Sequence, residues 1–112
     1  MEEILSIADE LGHLIRETDT YRNYRQASDL LAADPVAVKL LEEYITLSGS
    51  LKERQEKGGI IEKFETEELE SLIGMVSENS LIMRYLEAQQ EYLNLLVAIQ
   101  NEIRNGEFNG QL

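Results

Sequence analysis

The chain has 112 residues, 22 of them acidic and ten basic, giving a formal charge of −12, and it holds no cysteine. Without cysteine there is no disulfide, thiolate metal site, iron–sulfur ligand or cysteine nucleophile, and a field of that sign repels phosphate backbones and anionic lipid surfaces. Direct nucleic-acid binding is therefore disfavoured, and no stretch approaches the roughly 20 apolar residues needed to span a membrane.

The N-terminus, MEEILSIADELG, opens with acids where a secretory signal needs a basic start. A soluble, cytoplasmic protein is expected. At this length one domain forms, burying roughly two-thirds of the surface of the unfolded chain.

A first helix is predicted from about Glu2 to Ile15, with Ile4, Ala8, Leu11 and Ile15 on one stripe and Leu5, Ile7 and Leu14 widening it. It is apolar enough to be expected well buried. Around Arg16 to Thr20 the pattern loses phase, which leaves a break and a bend both open. Thr18 or Asp19 suits the cap of a helix carrying Tyr21, Tyr24, Ala27 and Leu31.

In Ala33-Asp34-Pro35 the aspartate suits an N-cap and the proline the first helical position, where its missing N–H costs nothing. The helix that follows carries Ala37, Leu40, Leu41, Tyr44, Leu47 and Leu51 on its stripe and reaches about Lys57. Gly49 interrupts it and suggests a close helix crossing. Val38 and Ile45, seven residues apart on a displaced line, are expected to be partly exposed and to mark a second contact surface.

Gly58-Gly59 ends that helix, since glycine accepts a left-handed backbone. Ile60, Ile61 and Phe64 follow in a loop. Thr66 is the expected cap of a fourth helix, with Leu69, Leu72, Ile73 and Val76 on its inner face. Asn79 or Ser80 then caps the last helix, Ser80 to Arg104. Its stripe is broad: Ile82, Gln89, Leu96 and Ile103 fall on one line, Tyr85, Tyr92 and Ile99 on a second, and Leu86 and Leu93 on a third. Residues 105–112 hold two Asn-Gly pairs and are expected to fray, with Phe108 and Leu112 docking them weakly.

The predicted fold is all-α, an antiparallel helical bundle of four to five helices in a single domain over residues 1–104. Pro35 to Lys57 and Ser80 to Arg104 are its two long arms.

Chemistry is sparse. Glu10 and His13 have the Glu-x-x-His spacing of a di-iron helix, but such a site needs two copies and two further glutamates, and the chain has one histidine. A dimer axis would have to supply the rest. Glu42-Glu43 and Glu67-Glu68 are sequence neighbours and diverge by about 100° on a helix. No hydrolytic motif accompanies His13, and Gly58-Gly59 lacks the ending of a phosphate loop. The run Lys52 to Lys57 carries Glu53 and Glu56 and reads as a solvated face. No catalytic residue, metal or cofactor is expected.

Gln89 lies between Tyr85 and Tyr92 on the last stripe. Its amide either bonds a tyrosine hydroxyl or a second copy of itself, fixing register, or reaches water at the stripe's edge. Val38, Ile45, Tyr85, Gln89 and Tyr92 are the candidate interaction residues.

The Asp-Pro helix start, its glycine-ended close, and the segment Ser80 to Ile103 with Tyr85-Leu86-x-Ala88-Gln89 and Leu95-Leu96 resemble the YlbF/YmcA family of small helical bacterial proteins, including its YheA-like members. The resemblance covers about Ile4 to Ile103. Ser80 departs from it, standing where a proline is expected, though serine also begins a helix. The lack of cysteine argues against the cluster-binding role of some relatives. The resemblance implies a non-catalytic regulatory adaptor that works through protein partners and is linked to competence, biofilm formation, sporulation and ribonuclease-dependent RNA processing. It suggests a homo-oligomer that contacts regulatory proteins or an RNA-processing enzyme. Two other readings stand beside it: a homo-oligomer or diverged relative with no partner complex, and a metal enzyme at a dimer interface.

Overall fold

The computed structural model describes residues 1–109, with side chains through residue 107. Among them the fold is all-α: α1 (Glu2–Arg16), α2 (Asp19–Ala32), α3 (Pro35–Glu56), α4 (Lys63–Glu78) and α5 (Ser80–Asn109). The last helix continues past Arg104 to Asn109, across the first residues expected to fray. The side chains of Phe108 and Leu112 lie outside the described residues.

Local chemistry sets each boundary. Between α1 and α2 the chain breaks: the Thr18 hydroxyl donates to the Ile15 carbonyl at 2.6 Å and accepts the Tyr21 N–H at 3.1 Å, closing one helix and opening the next. Asp34 caps α3 as expected, its Oδ1 accepting the Val36 and Ala37 N–H groups at 3.1 and 3.2 Å, with Pro35 opening the first turn. Asn79 caps α5 by accepting the Ile82 N–H at 3.0 Å. The cap of α4 is not Thr66. The helix begins one turn earlier, at Lys63, because the Glu62 N–H donates to Glu65 Oε1 at 3.2 Å and the Glu62 carbonyl takes the Glu65 N–H at 3.1 Å.

Contacts group the chain into two units, Met1–Ala27 with Leu86–Leu112, and Ser28–Tyr85. The second holds most of the core: Leu31, Ala37, Leu41, Leu51, Leu72, Val76 and Ile82 are all buried. Within it α3 and α4 pack as an antiparallel pair. Arg54 meets Glu65, and Leu47 shares a hollow with Leu72, so contact moves back along α3 as it moves forward along α4. Gly58, at φ 77°, supplies the left-handed residue of the turn. Gly59 follows with its N–H on the Arg54 carbonyl at 2.7 Å, where a Cβ would stand 3.1 Å from that oxygen.

Gly49 serves no close crossing: it is exposed, and a Cβ built there meets nothing within 4 Å. Ile73, expected on the inner face of α4, is 44 % exposed, because the core of this pair is narrow and Leu72 and Val76 fill it.

The first unit is packed differently. Tyr24 stacks on Tyr92 with ring centroids 4.9 Å apart, and Tyr21 meets the same ring edge-on at 5.6 Å. Ala27 and Ala88 are its buried residues. The expectation of a well-buried α1 is overturned, for α1 buries none of its residues. Leu11 and Ile15 are half-covered, whereas Ile4, Leu5, Ile7 and Leu14 stand more than half exposed. Periodicity says that a face is built to be covered, not that the same chain covers it.

Gly49→Ala and the equally open Gly74→Ala should each stabilise the protein by about 0.5–1 kcal/mol in urea denaturation, through helix propensity alone. Gly58→Ala should destabilise it by about 1–2 kcal/mol, the cost of a side chain in a left-handed backbone.

Candidate interaction surfaces

Three of the five candidate residues share one hollow of the second unit. Val38 and Ile45 of α3 and Tyr85 of α5 line a cleft of about 230 Å³ together with Ser28, Leu31, Ala32, Leu41 and Glu42. The Val38–Ile45 line reaches it because it is displaced from the buried Ala37–Leu41 stripe; Val38 is half-buried and Ile45 is 57 % exposed. Small-molecule pockets run from roughly 300 to 1,000 Å³, so the cleft is sized for one or two protruding side chains. Glu42 gives its rim a negative charge. Ser28 and Ala32 carried no apolar signal in the sequence and enter as the small residues that leave the cleft open.

The other two candidates belong to the first unit. Tyr92 is the centre of the tyrosine trio, and Gln89, half-buried, has polar or packing partners of its own. Tyr92 thus acts first as packing, its ring sandwiched where each aromatic pair adds about 0.5–1.5 kcal/mol beyond its area.

A broader trough of about 530 Å³ runs along α3 and α4, lined by Lys39, Glu42, Glu43, Thr46, Leu47, Ser50, Glu68 and Leu72. Three carboxylates face one amine there, an environment that fits a cation-rich surface better than an anion. Among the described residues no three histidine, aspartate or glutamate side chains converge as a metal site would require. His13 is engaged along its own helix, its Nε2 3.5 Å from Asp9 and its Nδ1 accepting Arg16 Nη2 at 2.7 Å. In the Lys52 to Lys57 run, Lys57 pairs with Glu53 at 2.8 Å. No described helix is long and apolar enough to cross a membrane.

The strongest polar contact lies at the α3–α4 turn and carried no advance signal beyond two opposite charges flanking a Gly-Gly loop. Both terminal nitrogens of Arg54 donate to the Glu65 carboxylate in a forked pair, and the same carboxylate accepts the Glu62 N–H. The Arg54 hydrogen bonds, joined by that backbone N–H, hold the Glu65 carboxyl below its ordinary range, and the Arg54 guanidinium is raised in turn. The pair is a structural clasp.

A family model described as control of competence regulator ComK, YlbF/YmcA, matches residues 4–106. The chain belongs to the YlbF/YmcA family. Family relatives of similar length include a UPF0342 protein of Oceanobacillus iheyensis, 26 % identical over 103 residues that make up 92 % of this chain and 88 % of the relative. One of Lactobacillus delbrueckii subsp. bulgaricus is 27 % identical over the same shares. Among solved structures, Bacillus subtilis RicA, crystallised in complex with RicF, superposes with a TM-score of 0.75 over 98 % of this chain and 97 % of that one, at 17 % identity. A DUF964 protein of Bacillus stearothermophilus gives 0.73 over 93 % and 91 %, also at 17 %. At that identity the likeness is one of fold.

Glu65 binds its proton less readily folded than unfolded, so its stabilising contribution is complete above the pH where a free glutamate titrates, about 4.3, and fades as pH falls through its depressed folded value. Glu65→Gln should therefore lower the urea midpoint at pH 7, and the gap from wild type should narrow steadily below pH 4. A gap that stays constant to pH 3 would show that the charge of Glu65 contributes nothing.

Proposed function

We propose that this chain is a non-catalytic, cytoplasmic regulatory adaptor that self-associates and acts by protein contacts in the control of competence, biofilm formation or ribonuclease-dependent RNA processing. The observation that carries this reading is the apolar face of α1, on which no residue is buried. A chain working alone would leave that face against water. Its family is described by competence control, and a protein of the same fold, RicA, is crystallised with a protein partner, RicF. The described side chains offer contact chemistry, an apolar cleft and exposed apolar helix faces, in place of a convergent set of acid, base and nucleophile. With a charge of −12, the preferred counterpart on any regulated enzyme is a basic or apolar protein surface and not RNA itself.

The Val38–Ile45–Tyr85 cleft is the docking point for a partner's side chain. Tagged wild type and Ile45→Glu, expressed in the native cells in place of the untagged protein, should differ in what they retain. Wild type should hold a second family member in fixed stoichiometry, and Ile45→Glu should lose it by tenfold or more with helix content and unfolding midpoint unchanged. Recovery of no stoichiometric protein by wild type would overturn the adaptor reading; equal recovery by both would remove the cleft from it.

A further inference from the structure

Resting on the self-association just proposed, we infer that α1 pairs antiparallel with α1 of a second copy about a two-fold axis at Asp9. The surface to be covered is large. The chain presents 8733 Å², whereas even two separate globules of half its mass each would expose only about 7,600 Å². The excess of about 1,200 Å² exceeds the roughly 800 Å² that each partner commits to a standard stable interface. Part of it lies at the N-terminal helix, where Met1, Ile4, Leu5, Ile7 and Leu14 are each more than half exposed.

The spacing on α1 fits a copy of itself. Ile4, Ile7, Leu11 and Leu14 alternate three and four apart, the seam of a two-helix pair. Reversed onto a second α1, Ile4 meets Leu14 of the copy and Ile7 meets Leu11, and both pairings centre on residue 9. One register therefore satisfies every layer, as an isologous two-fold contact demands. The same register brings acidic Glu2 opposite Arg16, so the acidic start of each helix meets the basic end of the other. Ala8, exposed and small, lies beside the axis next to its own copy. On the opposite flank Glu10 faces Glu10, a like-charge contact that limits affinity.

Because the chain has no cysteine, Ala8→Cys introduces a single thiol. Size exclusion with light scattering should give a dimer for wild type and a folded monomer for Ile7→Glu. A short bismaleimide should link Ala8→Cys into covalent dimers and leave Ser6→Cys, on the far side of the helix, unlinked. Glu10→Gln should tighten the dimer by roughly twofold, the reverse of the small penalty for facing like charges. A monomeric wild type at 100 µM would overturn both this pairing and the self-association behind it. A dimer that survives Ile7→Glu, with no cross-link at Ala8→Cys, would overturn the pairing alone and place self-association elsewhere.

Discussion

Leu51, Leu72 and Val76 are dry because α3 and α4 run side by side in opposite directions, and the six residues between those helices set that alignment. Gly58 turns the backbone, Gly59 closes on the Arg54 carbonyl, and the Arg54–Glu65 fork joins the end of one helix to the start of the next. Apolar burial supplies the energy, about 1.5–3 kcal/mol for each large aliphatic side chain taken from water. The polar turn chooses the register in which that burial occurs. A shift along α4 would break the Arg54–Glu65 fork and move Leu72 from its buried place.

Much of this was legible from residue types. Asp34-Pro35, Gly58-Gly59 and Asn79 mark boundaries because their chemistry acts within one turn of the chain, and the structure uses all three as their chemistry implies. Thr66 misled because a glutamate pair made an earlier cap at Glu62. The inward stripes of α2 and α3 were sound, with Ala27, Leu31, Ala37, Leu41 and Leu51 all buried. The outer parts of the stripe on α5 were not: Leu93 and Ile103 are exposed. The same pattern of apolar spacing describes a helix inside one chain and a helix waiting for another, so α1 looked like core. The cleft was half legible, since Val38 and Ile45 stood apart from the main stripe, while Ser28 and Ala32 contribute by being small.

The functional reading follows from what the helices leave uncovered. No charged or polar residue is buried among the described residues, and the perturbed pair, Arg54 and Glu65, is occupied in holding a turn. Apolar side chains are distributed the other way, with many left in water on α1 and along α5. A formal charge of −12 surrounds that surface with a negative field, which attracts basic groups and repels anionic ones. Membership of a family described by competence control agrees with that distribution.

The stacked tyrosines also make the first unit visible to spectroscopy. The protein has five tyrosines and no tryptophan, and Tyr21, Tyr24 and Tyr92 are gathered around one ring. Coupled rings in a fixed asymmetric arrangement dominate near-ultraviolet circular dichroism and are sensitive to small changes in angle. The near-ultraviolet dichroism of the protein thus carries a signal from the unit that holds the uncovered helix, without any label.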